Sequence, residues 1–541
     1  MISGCPRLLP GQLFFIDKQF KIGYYENSFQ ERLIILKIDW RKPRWTAGIA
    51  ALVCGIGTHM MGLVTMLHNN DDIGQMPYGY GTGITSGRWL LTILGDFAAE
   101  LGFSYNLHWV NGLLFLVMIA LAAVMTADVL RLKSRWFAGI LGALFAVFPS
   151  VTGTMLFRYT VTYYGISLLL AIATVWLTER YRYGFLAGAV CLALSMGIYQ
   201  AYVPFAITLF VLILLQRTLK GQDSFPELVK RGLFYCLILA GGLLIYFLCL
   251  KLCLALYGTQ LSDYNGVNTM GKLSLGQLPQ LLKLTVYNFC KLPWNNYCGL
   301  AGMKLIRICY VLLAVIAAVS FMWIAVSRVK KPLLIILAAA LCGILAVAVN
   351  FIQIMCPDGW IYTIMVYPFV LIGCIPMIIL ETAEDTELCR TLAAKALALV
   401  LSAMALCYAY ETNVVYTAQY YANRQVENYL NGIITQVRMT EGFDAEKKWA
   451  FVGQIEDPLI RSGWDSELRY GGSESAEILL NRHTRWYWFQ VYCGYWIPDV
   501  DDETALQLGR TEEVRQMPCW PDYGSVKVID DTVVIKFQNV E

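Results

Sequence analysis

Charged residues are scarce in this sequence. Asp, Glu, Lys and Arg make up 15% of the 541 residues, hydrophobic residues make up 57%, and the mean hydropathy is +0.53. A chain with so few charges cannot cover a water-facing surface of ordinary size, so we expect its apolar residues to face lipid. The net charge of only +3 gives a nucleic-acid partner no electrostatic support.

Motifs for common cofactors are also missing. The sequence has no Walker-type or dinucleotide-type glycine pattern, which argues against a primary pump and against an NAD-dependent enzyme. The histidines share no ligand spacing and stand at His59, His68, His108 and His483. Because metal ligands in a sequence motif recur at short fixed spacings, this scatter predicts no metal site.

Cysteine is present, but its positions indicate no metal-binding framework. Most of the 16 cysteines lie inside apolar runs, where cysteine behaves as a small hydrophobic residue. Cys493 and Cys519 lie in the polar C-terminal part, and the sequence leaves open whether they form a disulfide. Residues 1–29 lack the basic-then-apolar order of a cleavable signal peptide, so we expect the first apolar segment to be retained.

The apolar residues fall into blocks of about 20 residues, the length at which an α-helix crosses ~30 Å of hydrocarbon. Eleven such segments are predicted, at 46–67, 106–130, 136–152, 160–178, 184–199, 202–217, 232–257, 305–327, 332–353, 361–380 and 391–410. The predicted fold class is therefore an α-helical polytopic membrane protein.

Basic residues in the short connections predict the orientation, because they collect on the cytoplasmic side. They precede the first span, follow the second, and occupy every second connection after that, as at 131–135 and 328–331. The N-terminus is therefore predicted to be cytoplasmic, and an odd number of spans places the chain end on the outer face. The predicted parts are a cytoplasmic segment 1–45, a transmembrane domain 46–410 and an extracytoplasmic domain 411–541.

The C-terminal part has the character of a small α/β domain. Residues 413–439 alternate apolar and polar residues as an amphipathic helix does, and 449–453 have the composition of a strand. Residues 526–529 and 532–537, separated by Asp530 and Asp531, predict a terminal hairpin.

Two adjacent carboxylates follow the first predicted span, at Asp71 and Asp72. A charge near hydrocarbon is costly, about 2.5–3.5 kcal/mol at the bilayer centre and less at the interface, which favours a functional use. One carboxylate would serve as a general base whose pKa the neighbouring charge raises. The alternative is a polar helix end at the water interface, and the local sequence does not choose between the two.

Two arginines stand nearly alone in connections that are poor in basic residues. Arg88 and Arg158 each present a planar fork of donors that suits a phosphate group. The alternative for each is an ion pair with an aspartate or a side chain that extends to lipid headgroups. Together, the aspartate pair and the arginines indicate a general base beside a phosphate-binding cation.

Aromatic and amide side chains follow at outer helix ends. Tyr199 and Gln200 lie at a predicted outer turn, and Tyr163 and Tyr164 lie near the outer end of their helix, where each could hydrogen-bond a sugar. An aromatic belt at the membrane interface explains them equally well. Other polar or acidic residues of outer loops are weaker candidates, and they include Asp263, Asn268, Lys291, Trp294 and Asp358.

The motifs resemble those of bacterial membrane glucosyltransferases of the O-antigen-modifying type, which have the GT-C architecture. The resemblance rests on Asn-Asp-Asp at 70–72, Gly-Tyr-Gly-Thr-Gly at 79–83, Ser-Gly-Arg-Trp at 86–89, Arg-Tyr-Arg-Tyr-Gly at 180–184 and Ile-Tyr-Gln-Ala-Tyr at 198–202. It is good across 46–220, weaker from 231 to 410, and only general in the C-terminal part. The late helices lack the further basic residues that related enzymes carry.

The resemblance implies transfer of a hexose, glucose by preference, from a polyprenyl phosphate on the outer leaflet to a hydroxyl of a cell-surface glycan. It implies single displacement with inversion, with Asp71 or Asp72 as base and Arg88 and Arg158 holding the donor phosphate. Trp89, Tyr163, Tyr199 and Gln200 are the expected substrate contacts. The implied location is the plasma membrane, a separate flippase is an implied partner, and a divalent metal is left undecided.

Two other classes remain open from the sequence. A transporter or flippase of lipid-linked sugars would carry charges near the midplane and often an inverted repeat, whereas the distinctive charges here lie at the outer boundary. A non-catalytic assembly partner that presents the C-terminal part is the third class.

Overall fold

The computed structural model describes residues 42–262, 276–329, 331–357, 359–382, 388–456, 460 and 470–540. Within these residues, nine helices are long and apolar enough to cross a membrane. The other two predicted spans correspond to shorter apolar segments, Gly184–Ile198 and Tyr367–Thr382. Each predicted segment is therefore helical, and nine of them have membrane-crossing length.

The first ten helices contain most of the site described below. They are α1 (Pro43–Val64), α2 (Asn70–Ile73), α3 (Trp89–Glu100), α4 (His108–Val129), α5 (Arg135–Val147), α6 (Pro149–Met155), α7 (Arg158–Arg180), α8 (Gly184–Ile198), α9 (Val203–Lys220) and α10 (Phe225–Leu256). Helices α5 and α6 form one span, Arg135–Met155, interrupted at Phe148. Phe148 is extended because the ring of Pro149 disfavours a helical conformation at the preceding residue.

The later helices complete the bundle and the C-terminal part. They are α11 (Leu278–Cys290), α12 (Leu292–Asn295), α13 (Lys304–Ile324), α14 (Pro332–Val349), α15 (Ile352–Met355), α16 (Cys374–Thr382), α17 (Leu388–Arg438), α18 (Ala476–Leu479), α19 (Arg485–Trp488), α20 (Asp502–Gly509) and α21 (Glu512–Gln516). Short 3₁₀ turns lie at Ile84–Ser86, Gln200–Tyr202, Tyr297–Gly299, Thr363–Met365 and Tyr367–Gly373.

Small residues bring the first helices into close contact. A Cβ added at Gly142 of α5 would lie 2.0 Å from the backbone oxygen of Ala47 on α1, so only glycine permits this approach. Because lipid tails are as apolar as the helix surfaces, close backbone packing of this kind is a main source of helix association in membranes.

Helix α17 runs across the predicted domain boundary at 411. Residues 391–410 and 413–439 were expected to form a span and a separate amphipathic helix, but Leu388–Arg438 is one helix of 51 residues. The polar residues near 411 do not end it because Glu411 is fully buried and its carboxylate accepts hydrogen bonds from Met303 N and Tyr470 Oη. The predicted boundary at 411 therefore falls inside a continuous element.

The C-terminal part contains a three-stranded sheet in the order β1-β3-β2. Strand β1 (Lys448–Val452) runs parallel to β3 (Thr532–Lys536), and β2 (Val526–Ile529) is antiparallel to β3. The strand at 449–453 and the terminal hairpin were both predicted from the sequence, and both are confirmed to within a residue or two. Cys493 and Cys519 are free thiols.

Candidate functional site

The two aspartates lie in a single helical turn, α2, just after α1. Asn69 caps this turn because its Oδ1 accepts a hydrogen bond from Asp72 N at 2.8 Å. Adjacent residues of one turn point in different directions, and here the two carboxylates have opposite environments. Asp72 has no exposed surface, whereas Asp71 is exposed.

Asp72 is held by two histidines. His68 Nδ1 lies 2.5 Å from Asp72 Oδ2, and His108 Nε2, at the start of α4, lies 3.6 Å from the same oxygen. Burial raises the pKa of Asp72, but the two histidines lower it more, so that its pKa lies well below the usual range. Asp72 is therefore a buried anion that is already paired.

The spacing of the histidines in the sequence gave no sign of this cluster. His68 and Asp72 are four residues apart, but His108 joins them only because the chain after α3 returns to the same place. His68 and His108 meet edge to face, with their ring centroids 4.6 Å apart. Sequence spacing reports only local proximity, so it does not detect a ligand set assembled from two segments.

Asp71 is the exposed carboxylate of the pair. Although its side chain is exposed, the surrounding protein atoms exclude part of its water, and this partial desolvation raises its pKa. The charge of Asp72 raises the pKa further, while the Arg88 guanidinium lowers it. The like-charge effect predicted for the pair is thus present, and it acts on Asp71.

The loop that carries the aspartates is fixed by helix α17. His68 N donates to Asn423 Oδ1 at 2.9 Å, and His68 O accepts from Gln419 Nε2 and Asn423 Nδ2. Tyr492, in the C-terminal part, donates from its hydroxyl to Met66 O at 3.3 Å. Elements far along the chain therefore determine the conformation of this loop.

A third carboxylate, Glu474, reaches the loop from the C-terminal part. Its Oε2 accepts a hydrogen bond from Asn70 N at 2.7 Å, while its own backbone N donates to Gln419 Oε1. Burial, assisted by the charge of Asp71, raises the pKa of Glu474 to about 7. Nothing in the local sequence around 474 indicated a role beside the aspartates.

We expect Glu474→Gln to stabilise the protein above neutral pH and to have no effect in acid. The folded-state pKa of about 7 lies above the ordinary glutamate pKa of 4.5, so stability is lost as the pH rises between these two values. Glutamine keeps the acceptor for Asn70 N without the buried charge, which predicts a gain of roughly 1–3 kcal/mol at pH 8. Thermal unfolding in detergent at pH 5 and pH 8 measures the difference.

The matched control for this prediction is Glu477→Gln, which removes an exposed carboxylate three residues along the same segment. It should leave the melting temperature unchanged at both pH values. A Glu474→Gln protein that is equally stabilised or destabilised at pH 5 and pH 8 would contradict the assignment.

Arg88 lies immediately before α3 and is surrounded by tyrosines. Its Cζ lies 5.2 Å from the ring centroid of Tyr199 and 5.9 Å from that of Tyr164. The two rings are stacked 4.1 Å apart. Among the described residues, no carboxylate lies within salt-bridge distance of Arg88, and its Nε is buried without a hydrogen-bond partner. The cation is therefore held by aromatic faces and remains available to an anion.

The motif around Arg88 is packed against the turn between α8 and α9. Gln200 Nε2 donates to Ser86 O at 2.9 Å, and Tyr246 of α10 donates from its hydroxyl to Gly87 O at 3.1 Å. Gly87 has φ +74°, and a Cβ there would lie 2.7 Å from Tyr246 Oη. Glycine is thus required before Arg88, and Gln200 acts as a support for the motif.

An apolar cavity of about 340 Å³ opens beside this motif. Its polar end consists of Ser86, Gly87, Gln200 and Tyr246, and the rest of its lining is aliphatic or aromatic. The apolar lining comes from Leu192, Met196, Val203, Ile207, Leu239, Ala240, Leu243, Phe247, Leu250, Leu261, Phe351, Ile354 and Met355. The cavity suits a ligand with a long apolar chain and a polar head.

The other predicted residues are placed differently. Arg158 has no exposed surface, and its guanidinium donates to Gly62 O and to Met155 Sδ inside the bundle. Trp89 is buried and packs on Gly197 of α8. Tyr163 packs with the hydrophobic core, whereas its neighbour Tyr164 contacts Arg88. Asp263, Asn268 and Asp358 lie outside the described residues.

The sequence does not show the direction in which a helix points each side chain, and this explains where the residues were misplaced. Successive residues of a helix point about 100° apart, so a Tyr-Tyr pair places only one ring on a given face, and the sequence does not identify which. Arg158 was assigned as a phosphate contact because of its isolation in a connection, but α7 begins at that residue and directs its side chain inward. Tyr246 lies within an apolar run and gave no signal.

Comparison with known proteins gives one match. A family model described as Glucosyl transferase GtrII matches residues 60–373, more than half of the chain, including Asp71, Asp72, Arg88 and Gln200. No curated protein and no solved structure matches the chain.

Proposed function

The chain belongs to the glucosyl transferase GtrII family, and from this membership we propose that it transfers glucose from a polyprenyl phosphate to a hydroxyl of a cell-surface glycan. The enzyme is a glycosyltransferase by its family, and its apolar helices are those of a multi-pass membrane protein. The lipid-linked donor, the glycan acceptor and the catalytic roles below belong to the proposal.

The observation that carries the proposal is that Arg88, which has no carboxylate partner among the described residues, lies next to residues of an apolar cavity and near an exposed carboxylate. Arg88 is close enough to Asp71 to lower its pKa, and the residues beside Arg88 form the polar end of the cavity. A polyprenyl phosphate has the complementary form, with an anionic head for Arg88 and an apolar chain for the cavity. The carboxylate then lies near the sugar that the phosphate carries.

In the proposed reaction Asp71 accepts the proton of the acceptor hydroxyl, and the oxygen of that hydroxyl attacks the anomeric carbon of the donor sugar. The bond between that carbon and the phosphate oxygen breaks, the lipid phosphate leaves, and the anomeric configuration inverts. Arg88 stabilises the charge that develops on the leaving phosphate. Asp72 is unsuited to be the base because it is buried and paired with His68.

The proposed arrangement in the membrane follows from the distribution of basic residues. The N-terminus is cytoplasmic, and the site and the C-terminal part face the outside, where acceptor glycans are found. A separate flippase would supply the donor to the outer leaflet. Placement of α17 across the predicted boundary at 411 supports an outer part that is continuous with the last span.

The test is direct transfer by the purified full-length protein. Radiolabelled polyprenyl phosphate glucose and a surface-glycan acceptor are supplied in detergent or proteoliposomes, and labelled glycan is separated from lipid. Label that appears in the glycan supports the proposal. Label that crosses the bilayer on intact lipid, without covalent product, would instead establish a transporter.

The apolar cavity gives a prediction about donor affinity. Ala240 of α10 is exposed and lines the cavity, so Ala240→Trp fills it without overpacking the core. We expect the KM for the lipid donor to rise about tenfold with kcat nearly unchanged, because a lipid chain that binds equally in ground and transition states affects only binding. Steady-state kinetics with donor varied at saturating acceptor measure both constants.

Leu237→Trp is the matched control, since Leu237 lies on the same helix, is 70% exposed and does not line the cavity. It should leave the KM for the donor unchanged. With a donor that has a shortened prenyl chain, the difference in KM between the two variants should be smaller. Equal effects of Ala240→Trp and Leu237→Trp would place the lipid chain elsewhere.

A further inference from the structure

The buried cluster of His68, Asp72 and His108 has a composition that the transfer reaction does not use. One ligand atom from each of the three residues lies within 4.8 Å of the other two. Both His68 Nδ1 and His108 Nε2 approach the same oxygen, Asp72 Oδ2. Their exposed fractions are 0%, 0% and 5%. Two imidazole nitrogens and a carboxylate oxygen that converge in a closed space form a ligand set typical of transition metals.

The hydrogen bonding of the cluster is incomplete. His68 Nε2 and both ring nitrogens of His108 are buried without a hydrogen-bond partner among the described residues. A buried polar atom left unpaired costs about 1–3 kcal/mol, so a ligand-free cluster is unfavourable at His108. An ion bound by His108 Nε2 would satisfy one of these atoms.

We propose that His68, Asp72 and His108 bind one divalent transition-metal ion of the Zn²⁺ type. Three ligand atoms around such an ion lie roughly 3.3 Å apart, which follows from metal–ligand distances of ~2.0–2.1 Å and tetrahedral angles. The distance of 3.6 Å between His108 Nε2 and Asp72 Oδ2 is near this value, and the 2.5 Å between His68 Nδ1 and Asp72 Oδ2 must open by less than ~1 Å. Coordination by Nδ1 uses its lone pair, so the ion replaces the proton of the His68–Asp72 hydrogen bond.

The surroundings keep the ligands in place. The backbone of His68 is fixed by Gln419 and Asn423, and its ring meets the rings of Trp488 and Tyr492 with centroids 6.2 and 5.4 Å away. Asp72 is fixed through its backbone by Asn69. Three protein ligands leave a fourth position for water or a substrate oxygen, as in catalytic rather than structural zinc sites.

Bound there, the ion would join the loop that carries Asp71 to the first residue of α4. The inference does not depend on glycosyl transfer, because binding is measured without a sugar donor. The positive charge of the buried Arg158 guanidinium acts on His108, and the Asp72 carboxylate offsets it.

The test is cation binding by the full-length protein, purified through a tag without histidine and stripped with a chelator. We expect about one Zn²⁺ per chain by elemental analysis, and visible absorption of four-coordinate Co²⁺ on titration. His68→Asn and His108→Gln replace a coordinating imidazole with a neutral amide, a much weaker metal ligand, and should each weaken binding at least tenfold. His483→Ala, which removes an exposed histidine outside the cluster, should bind as the unaltered protein does.

His68→Cys tests whether weaker metal binding by the other variants is caused only by loss of folding. A thiolate at this position should give a new Co²⁺ charge-transfer band in the near ultraviolet, a signal that a misfolded protein would not give at one equivalent. Absence of stoichiometric binding by the unaltered protein would overturn the proposal. Normal binding by both His68→Asn and His108→Gln, or Co²⁺ binding by His68→Cys without the new band, would do so as well.

Discussion

Asp71→Asn is expected to reduce glucosyl transfer by about 10²–10⁴-fold while leaving the protein folded, because it removes the proposed general base. Asparagine has nearly the shape of aspartate but cannot accept the proton of the attacking hydroxyl. The side chain is exposed, so we expect the substitution to leave the packing of the fold unchanged. Single-turnover transfer from labelled lipid donor measures the loss, and the binding of donor should be little changed.

Glu100→Gln is the control for this substitution, since Glu100 is an exposed carboxylate at the end of α3, in the same connection between α1 and α4. It should transfer at the rate of the unaltered enzyme. Undiminished transfer by Asp71→Asn would remove Asp71 from the mechanism, and so would an equal loss in Glu100→Gln.

Asp72→Asn separates the two members of the pair by a different measurement. Asp72 is fully buried against His68, so its loss leaves a buried histidine without its anionic partner and should lower thermal stability. Asp71→Asn should not. If Asp72→Asn melted like the unaltered protein while abolishing transfer, the roles of the two aspartates would be exchanged.

Arg88→Ala is expected to reduce transfer by about 10²–10³-fold, the loss typical of removing one group that stabilises developing charge. The cation is partly buried among Tyr164 and Tyr199 without a carboxylate partner among the described residues, so it is available to the phosphate. Arg88→Lys should recover only part of the rate because lysine keeps a point charge but loses the planar fork. Added guanidinium should partly restore Arg88→Ala.

Arg180→Ala is the matched control, because Arg180 lies at the far end of α7 from Arg158 and pairs with Asp128 at 3.2 Å. Its transfer rate should not change. A rate for Arg88→Ala within twofold of the unaltered enzyme would remove the phosphate contact from the proposal. Full recovery in Arg88→Lys would show that charge alone, without the bidentate geometry, is sufficient.

Local patterns in the sequence predicted most of the secondary structure. Nine of the predicted apolar runs are long helices among the described residues, because the need to satisfy backbone hydrogen bonds in lipid leaves few alternatives for about 20 apolar residues. The run at 361–380 instead contains 3₁₀ turns followed by the short helix α16. The terminal hairpin was predicted from alternation and from its turn at Asp530 and Asp531. The continuity of α17 was not, since the polar residues at 411–413 suggest a boundary until the burial of Glu411 is known.

The candidate site was predicted in part. Asp71 and Arg88 were selected from the sequence, and in the structure the Arg88 guanidinium is near enough to lower the pKa of Asp71, while their catalytic roles stay a prediction. Arg158 was selected by the same reasoning as Arg88, yet its guanidinium donates to Gly62 O in the interior. An isolated charged residue in a polar connection is expected to have a partner. The sequence does not show whether that partner is a bound ligand or a backbone carbonyl of the protein.

By itself, the sequence determined the membrane class, the helices, the C-terminal strands and the pair of aspartates, because composition and periodicity express the local demands of lipid and water on the chain. Only the tertiary structure decided that Asp72 is buried and Asp71 is exposed. That difference arises from His108, Gln419 and Glu474, which reach the loop from three distant segments. Burial and pairing depend on contacts across the fold, and these are not encoded in the four residues around the aspartates.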